Sequence, residues 1–142
     1  GERWLAVGGR LEHTHNGARV PAAVSAVTGL SQARTSTTNP DMFTGPHLSA
    51  WTELNARALQ VRYGLDCYAY CLLASGHIDL VVEAGLKDVD IAPLIPIIEA
   101  AGGIVTTWDG GRAERGGTCI AAATEQLHEE AMRVLRDAML DQ

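Results

Sequence analysis

"EAGLKDVDIAPLIPIIEAAGG", residues Glu83 to Gly103, decides how this chain folds. An acid closes an apolar run. Lys87, Asp88 and Asp90 then crowd together, and an apolar helix-forming segment follows that ends in two glycines. Upstream, "HIDLVVEAG" has the apolar, β-branched character of a buried strand. "DIAPLIPIIEAAGG" reads as a helix closed by its glycines, and "IVTTW" as the next strand. Asp90 therefore stands where a strand has ended and a helix begins. There it serves as an N-cap, worth about 1 kcal/mol, or as a ligand for a hard cation beside a helix N-terminus that faces a phosphate. Pro93 falls in the first turn of that helix and costs little. Pro96 lies further in, must lose a backbone hydrogen bond, and is expected to bend or tighten the first turn.

Outward from this unit, helices and strands alternate. "LSAWTELNARALQVR" places Leu48, Trp51, Leu54, Ala58 and Val61 on one helical face. "DCYAYCLLASG" is a short apolar helix ending at Gly76. "TCIAAA" is a strand, reached from "IVTTW" through a turn at "DGG". The last helix opens with Thr124 as N-cap and carries Leu127, Ala131, Val134, Leu135 and Ala138 as its apolar stripe. Nearer the start, "WLAVGG" is a strand, Asn16-Gly17 a tight hairpin turn, and "PAAVSAVTG" a second strand. "ARTSTTNPDMFTGPH" is rich in Thr, Pro, Gly and Asn and reads as loop. The alternation predicts an α/β fold, a layered sheet with helices on its faces.

The 142 residues fit one domain or half of a larger one. A composition 46% hydrophobic and 20% charged supports a buried core rather than disorder. The net charge of −6, without a basic stripe, argues against nucleic acid as partner. No run of about 18 apolar residues is present, so no membrane span is expected, and no stretch resembles a signal peptide. Cys67, Cys71 and Cys119 cannot all pair and read as buried thiols of a cytoplasmic protein. Gly1 leads at once into "ERWLAVGG", which reads as the middle of a longer protein.

Several polar residues hold both a structural and a functional reading. Glu83 and Lys87 flank the end of a strand, where charges are usually just solvated. Yet a carboxylate at the C-terminal end of a buried strand lies where α/β sheets bind ligands. Asp66, before an apolar helix, is a cap or a partner for a cationic or hydroxylated substrate group. His13 and His15 flank a turn and read as surface residues rather than metal ligands. His77 and His128 have no visible partner, and no glycine-rich phosphate loop occurs.

"VDIAPLIPIIEAAGGIVTTWDGG" resembles the second signature of the inositol monophosphatase superfamily, in which an Asp opens a helix ending in Glu-Ala-Gly-Gly. Val89, Pro93 and Ala100 depart from that signature, which usually has an aromatic, Ala and Glu there. "RYGLDCYAYCLLASGHIDLVVEAGLK" is similar to the stretch upstream in the bacterial histidinol-phosphate phosphatase branch, with Leu65 where the branch has a second glycine. "GERWLAVGG", "TTNPDMF" and "GGTCIAAATEQLHEEAMRVL" fit the same branch, so the likeness runs along essentially the whole chain.

The resemblance implies the αβαβα sugar-phosphatase fold. It divides the chain into residues 1–47, the end of an N-terminal α+β half with strands and loop, and 48–142, the C-terminal α/β domain. It implies that Asp90 is a catalytic Mg²⁺ ligand and that Gly64, Leu65, Asp66, Glu83 and Lys87 contact the substrate. The complete site would hold two or three Mg²⁺ ions. The family's first half supplies a Glu and an Asp-Pro-x-Asp-Gly-Thr motif, neither of which is found here, so Asp90 is the one protein ligand present. The expected partners are a small phosphate ester, the missing N-terminal half and, as a homodimer, a second copy. Histidinol phosphate is the preferred substrate, because an amine and an imidazole suit a pocket lined by Asp66 and Glu83; inositol or sugar phosphates are the alternative. The 142-residue chain alone is expected to be inactive, and a non-catalytic binding or assembly fragment is the competing class.

Overall fold

The computed structural model describes residues 1–140. Its first part is a three-stranded antiparallel sheet, β1 (Glu2–Val7), β2 (Arg10–His15) and β3 (Ala18–Val20). Asn16 and Gly17, at φ 50° and 81°, turn β2 into β3. Two successive positive φ angles are the primed turn geometry that Asn-Gly favours. The expected second strand over "PAAVSAVTG" is absent. That segment is irregular, and its apolar residues cross between two cores: Val24 packs into one and Val27 into the other.

The second sheet is built from β4 (Arg34–Ser36), β5 (Gln60–Arg62), β6 (Leu80–Leu86), β7 (Ile104–Thr106) and β8 (Gly117–Ala122). These lie in the order β5-β4-β6-β8-β7. β4 runs parallel to β5 and β6, while β8 is antiparallel to both β6 and β7. Helices α1 (Pro46–Arg57) and α5 (Glu125–Leu140) cover one face; α2 (Cys67–Ala74) and α4 (Ile95–Ala100) cover the other. Strand alternation sorts the side chains. Leu80, Val82 and Ala84 meet Trp51, Leu54, Leu127 and Leu135, whereas Val81 meets Tyr70, Leu73 and Ile98.

Three local expectations change. The helix expected through Arg62 ends at Arg57, because Ala33 O accepts the N–H groups of Leu59 and Gln60 and draws the chain into β5. Arg34–Ser36, expected as loop, is strand β4. The helix expected from Asp90 to the glycines is two short ones, α3 (Asp88–Ile91) and α4, separated by Ala92–Leu94. Pro93 lies in that break, where its missing N–H ends α3. Pro96 sits in the first turn of α4, where a missing N–H is tolerated.

Asp79, just before β6, ties the irregular segment to the sheet. Its buried carboxylate accepts from Ser25 Oγ (2.5 Å), Arg34 N (2.8 Å), Arg34 Nε (2.9 Å) and Arg34 Nη2 (2.8 Å). Burial alone raises a carboxyl, but these donors outweigh it and hold Asp79 below its ordinary value. Thr124 caps α5 as expected, accepting from Leu127 N at 3.3 Å while donating to Val27 O.

Candidate active site

β6 ends in a bulge between Glu83 and Leu86, with Gly85 at φ 71°. Such a bulge re-aims the strand's last side chains. Glu83 shares the face of Val81, so it points toward α2 rather than into the α1/α5 layer. It is 3% exposed. Its Oε1 accepts the Thr38 backbone N–H (3.1 Å) and the Thr38 hydroxyl, and its Oε2 accepts the Tyr70 hydroxyl at 2.5 Å. Tyr70 is held well above its ordinary pKa, first by burial and then by Cys119 and Glu83, so it stays a donor. Cys119 is pushed up to about 12, mainly by burial, and is inert as a nucleophile.

Asp90 is not the N-cap of its helix. Lys87 holds that position and Asp90 is the third helical residue. Asp90 Oδ2 accepts the Lys87 N–H at 2.8 Å, while Asp90 N donates to Lys87 O at 3.1 Å. The carboxylate thus closes the turn with one oxygen, and Oδ1 has no hydrogen-bond partner among the described residues. Asp90 is exposed.

Asp66 precedes α2 at φ 47° and ψ −138°. Glycine adopts that backbone region freely and other residues rarely. The Asp66 side chain makes no capping bond. Gly45 precedes α1 with nearly the same angles, 54° and −135°. The same turn is thus built once with the residue that suits it and once with an acid.

These three carboxylates converge. Asp66, Glu83 and Asp90 line one cavity of about 630 Å³, together with Thr38, Met42, Cys67, Tyr70 and Leu94. Gly64, Leu65 and Lys87 are not among its lining residues. Gly64 is tied to it indirectly, since its N–H donates to Thr38 O at 2.8 Å. Leu65 is half-buried against the α2/α4 core, and Lys87 is exposed. Tyr70 and Thr38 were not foreseen. Tyr70 follows Asp66 by four residues, a helical spacing that carries a usable signal; Thr38 carries none short of the fold.

Among the described residues no group of three or more His, Cys, Asp or Glu side chains is arranged to hold a metal ion. Asp90, with one free carboxylate oxygen, fits as a single ligand of a hard cation and does not make a site by itself. Elsewhere, His13 is 7% exposed and stacks on Trp4 at 4.3 Å, which corrects its expected surface position. Cys67 is exposed, not buried, whereas Cys119 is buried as expected. Among the described residues no helix is long and apolar enough to cross a membrane.

A mixed sheet layered between helices thus carries a cavity lined by acids from β6, α3 and the turn before α2. The inositol monophosphatase family model matches residues 2–140, and the chain belongs to that family. It is 36% identical over 143 residues to the bifunctional phosphatase IMPL2, chloroplastic, of Arabidopsis thaliana, covering 94% of this chain and 40% of that protein. A histidinol-phosphatase of Mycobacterium tuberculosis is 32% identical, covering 92% of this chain and 51% of its own length. A solved inositol monophosphatase from Zymomonas mobilis superposes with a TM-score of 0.84 at 34% identity, covering 95% of this chain and 53% of that one. The chain spans about half the length of the curated relatives it matches.

Proposed function

We propose that this chain supplies the C-terminal part of a Mg²⁺-dependent phosphomonoesterase that hydrolyses histidinol phosphate. The observation that carries the proposal is the convergence of Asp66, Glu83 and Asp90 on one cavity. Its two ends differ in character. Asp90 offers a free carboxylate oxygen on the α3 side, suited to a hard cation and, through it, to a phosphate. Glu83 and Asp66 offer negative charge at the α2 end, suited to an amine. Both the Arabidopsis and the Mycobacterium relatives are phosphatases, and the latter is a histidinol-phosphatase.

In this mechanism Asp90 would hold one Mg²⁺ through its free oxygen, while Oδ2 keeps its bond to the Lys87 N–H. Glu83 accepts a hydrogen bond from the substrate's polar end and so orients the ester, while Asp66 attracts its positive charge. Mg²⁺, when bound, lowers the pKa of a water and neutralises charge developing on the phosphoryl group. One carboxylate cannot replace enough of the six-oxygen shell of Mg²⁺. The 142-residue chain alone therefore has no phosphatase activity, and the first half of the enzyme supplies the remaining ligands. Homodimer assembly and a cytoplasmic location belong to the same proposal and rest on the family resemblance.

The test is phosphate release from histidinol phosphate and from inositol 1-phosphate, with and without Mg²⁺, by the full-length protein that carries this chain. Histidinol phosphate should be preferred. Asp90→Asn should reduce the Mg²⁺-dependent rate by at least about 100-fold, the upper end of what losing a mere outer partner of a metal ligand costs. Activity untouched by the substitution would return Asp90 to a purely structural role in its turn. A preference for inositol 1-phosphate would favour the second reading, to which the Zymomonas likeness points.

A further inference from the structure

Glu83 is a buried carboxylate with no cation bonded to it among the described residues. Removing such a charge from water is expensive unless donors replace its hydration. Three donors do so, and they are unevenly shared. Oε1 takes both the N–H and the hydroxyl of Thr38; Oε2 takes only the Tyr70 hydroxyl. A carboxylate oxygen accepts about two hydrogen bonds. Oε1 is therefore full, and one acceptor position remains, on Oε2, beside the cavity that both Glu83 and Tyr70 line.

We infer that Tyr70 and Thr38 are positioning residues that fix the Glu83 carboxylate so that it presents a single acceptor, on Oε2, to one donor of the bound ligand. The inference rests on the cavity's holding the substrate alcohol, as proposed above, and adds how that end is selected. The two acids then act differently. Asp66 is exposed, unbonded by its own helix, and attracts charge without direction. Glu83 is buried, its rotamer pinned from two elements, and recognises direction. Thr38 extends the clamp, because its carbonyl also holds Gly64 N at 2.8 Å and so ties the loop before α2 to the same carboxylate. A ligand lacking a donor at this point leaves a buried acceptor unpaired, which is the strongest basis a site has for rejecting an analogue.

The test is calorimetric binding to the full-length protein in EDTA, so that no turnover enters. The probes are histidinol, the amine-bearing alcohol, and its analogue with hydrogen in place of the amine. Wild-type protein should bind histidinol more tightly than the analogue. Tyr70→Phe keeps the ring and removes the hydroxyl. It should weaken histidinol by about 5- to 10-fold, as expected for an indirect loss in a charged hydrogen-bond network, and leave the analogue unchanged. Thr38→Ser, which keeps the hydroxyl, should retain the preference, and Thr38→Val should lose it; this pair answers the same question if Tyr70→Phe unfolds. Equal binding of the two alcohols by the wild type, binding of neither, or a Tyr70→Phe loss shared by both would overturn the inference. Phosphate release is a separate readout. Differential binding without hydrolysis would sink only the proposed reaction, and hydrolysis without differential binding only the role of Tyr70 and Thr38.

Discussion

Asp66→Gly should make the protein more stable and a poorer binder of amine-bearing ligands at once. Asp66 sits at φ 47° and ψ −138°, and holding a non-glycine residue in such a region costs about 1–3 kcal/mol. Glycine removes that cost but loses about 0.5–1 kcal/mol through the greater freedom of the unfolded chain. No capping hydrogen bond is forfeited, because the Asp66 side chain makes none. The balance is a gain of up to about 2.5 kcal/mol, with roughly 2–4 °C in Tm for each kcal/mol in a protein of 150–250 residues. Gly45, at 54° and −135° before α1, shows that this chain builds the same turn with glycine. Asp66→Ala is the control: it removes the carboxylate and keeps the strain, so its Tm should not rise. Thermal melts of the three proteins, with histidinol binding measured beside them, decide the matter. A glycine variant no more stable than the alanine variant would refute the strain argument. A glycine variant that is stabilised and binds histidinol as wild type does would remove Asp66 from the site.

Two further outcomes follow from the packing. Gly103→Ala would bring a Cβ to 2.7 Å from Ile98 Cγ2 and 2.9 Å from Ala122 O. It should cost about 1–3 kcal/mol, the usual range for overpacking, read as a lower denaturation midpoint. His128 is buried and bonded to Thr106 Oγ1 at 2.6 Å; burial, only partly offset by Glu129 and Glu125, holds its pKa below the ordinary 6.5. A depressed histidine favours the folded state while it is neutral. Its contribution is therefore full above pH 6.5 and is lost as the pH falls from there through its folded value. Melts of wild type and His128→Gln between about pH 7.5 and pH 5 should show the wild type losing more stability on acidification; parallel curves would refute it.

The regular units were legible where local chemistry and fold agree. Asn16-Gly17 specifies its turn through two positive φ angles, "LVV" of β6 is apolar on both faces because helices cover both, and Thr124 caps α5. The misreadings arise from contacts distant in sequence. "PAAVSAVTG" is apolar because it serves two cores, not because it pairs as a strand. β4 and β5 have three residues each, and their pairing is set by neighbours 26 or more positions away. The site divides in the same way. Asp66, Glu83 and Asp90 could be picked out because each is an acid beside an apolar run, although Glu83 lies in the middle of β6 and Asp90 within α3. Thr38 could not, since it reaches Glu83 across 45 residues, and Tyr70, 13 residues from Glu83, is signalled only by its helical spacing from Asp66.

The two ends of the cavity are unequally complete within this chain. Toward α2, Glu83 has both its donors, Thr38 and Tyr70, and Asp66 lines the same cavity. At the α3 end a single carboxylate has already committed Oδ2 to its own turn. Recognition of the alcohol and binding of the metal would therefore separate along the chain of the proposed enzyme. In the proposed enzyme this domain chooses the ester, and the reaction starts only where a second set of carboxylates closes over Asp90. Substitutions at Tyr70, Thr38 and Glu83 should then act on which ester is accepted, and those at Asp90 on whether any is hydrolysed. In the proposed enzyme that division would give the strained acid at Asp66 a role that glycine, though it would fold more easily there, could not fill.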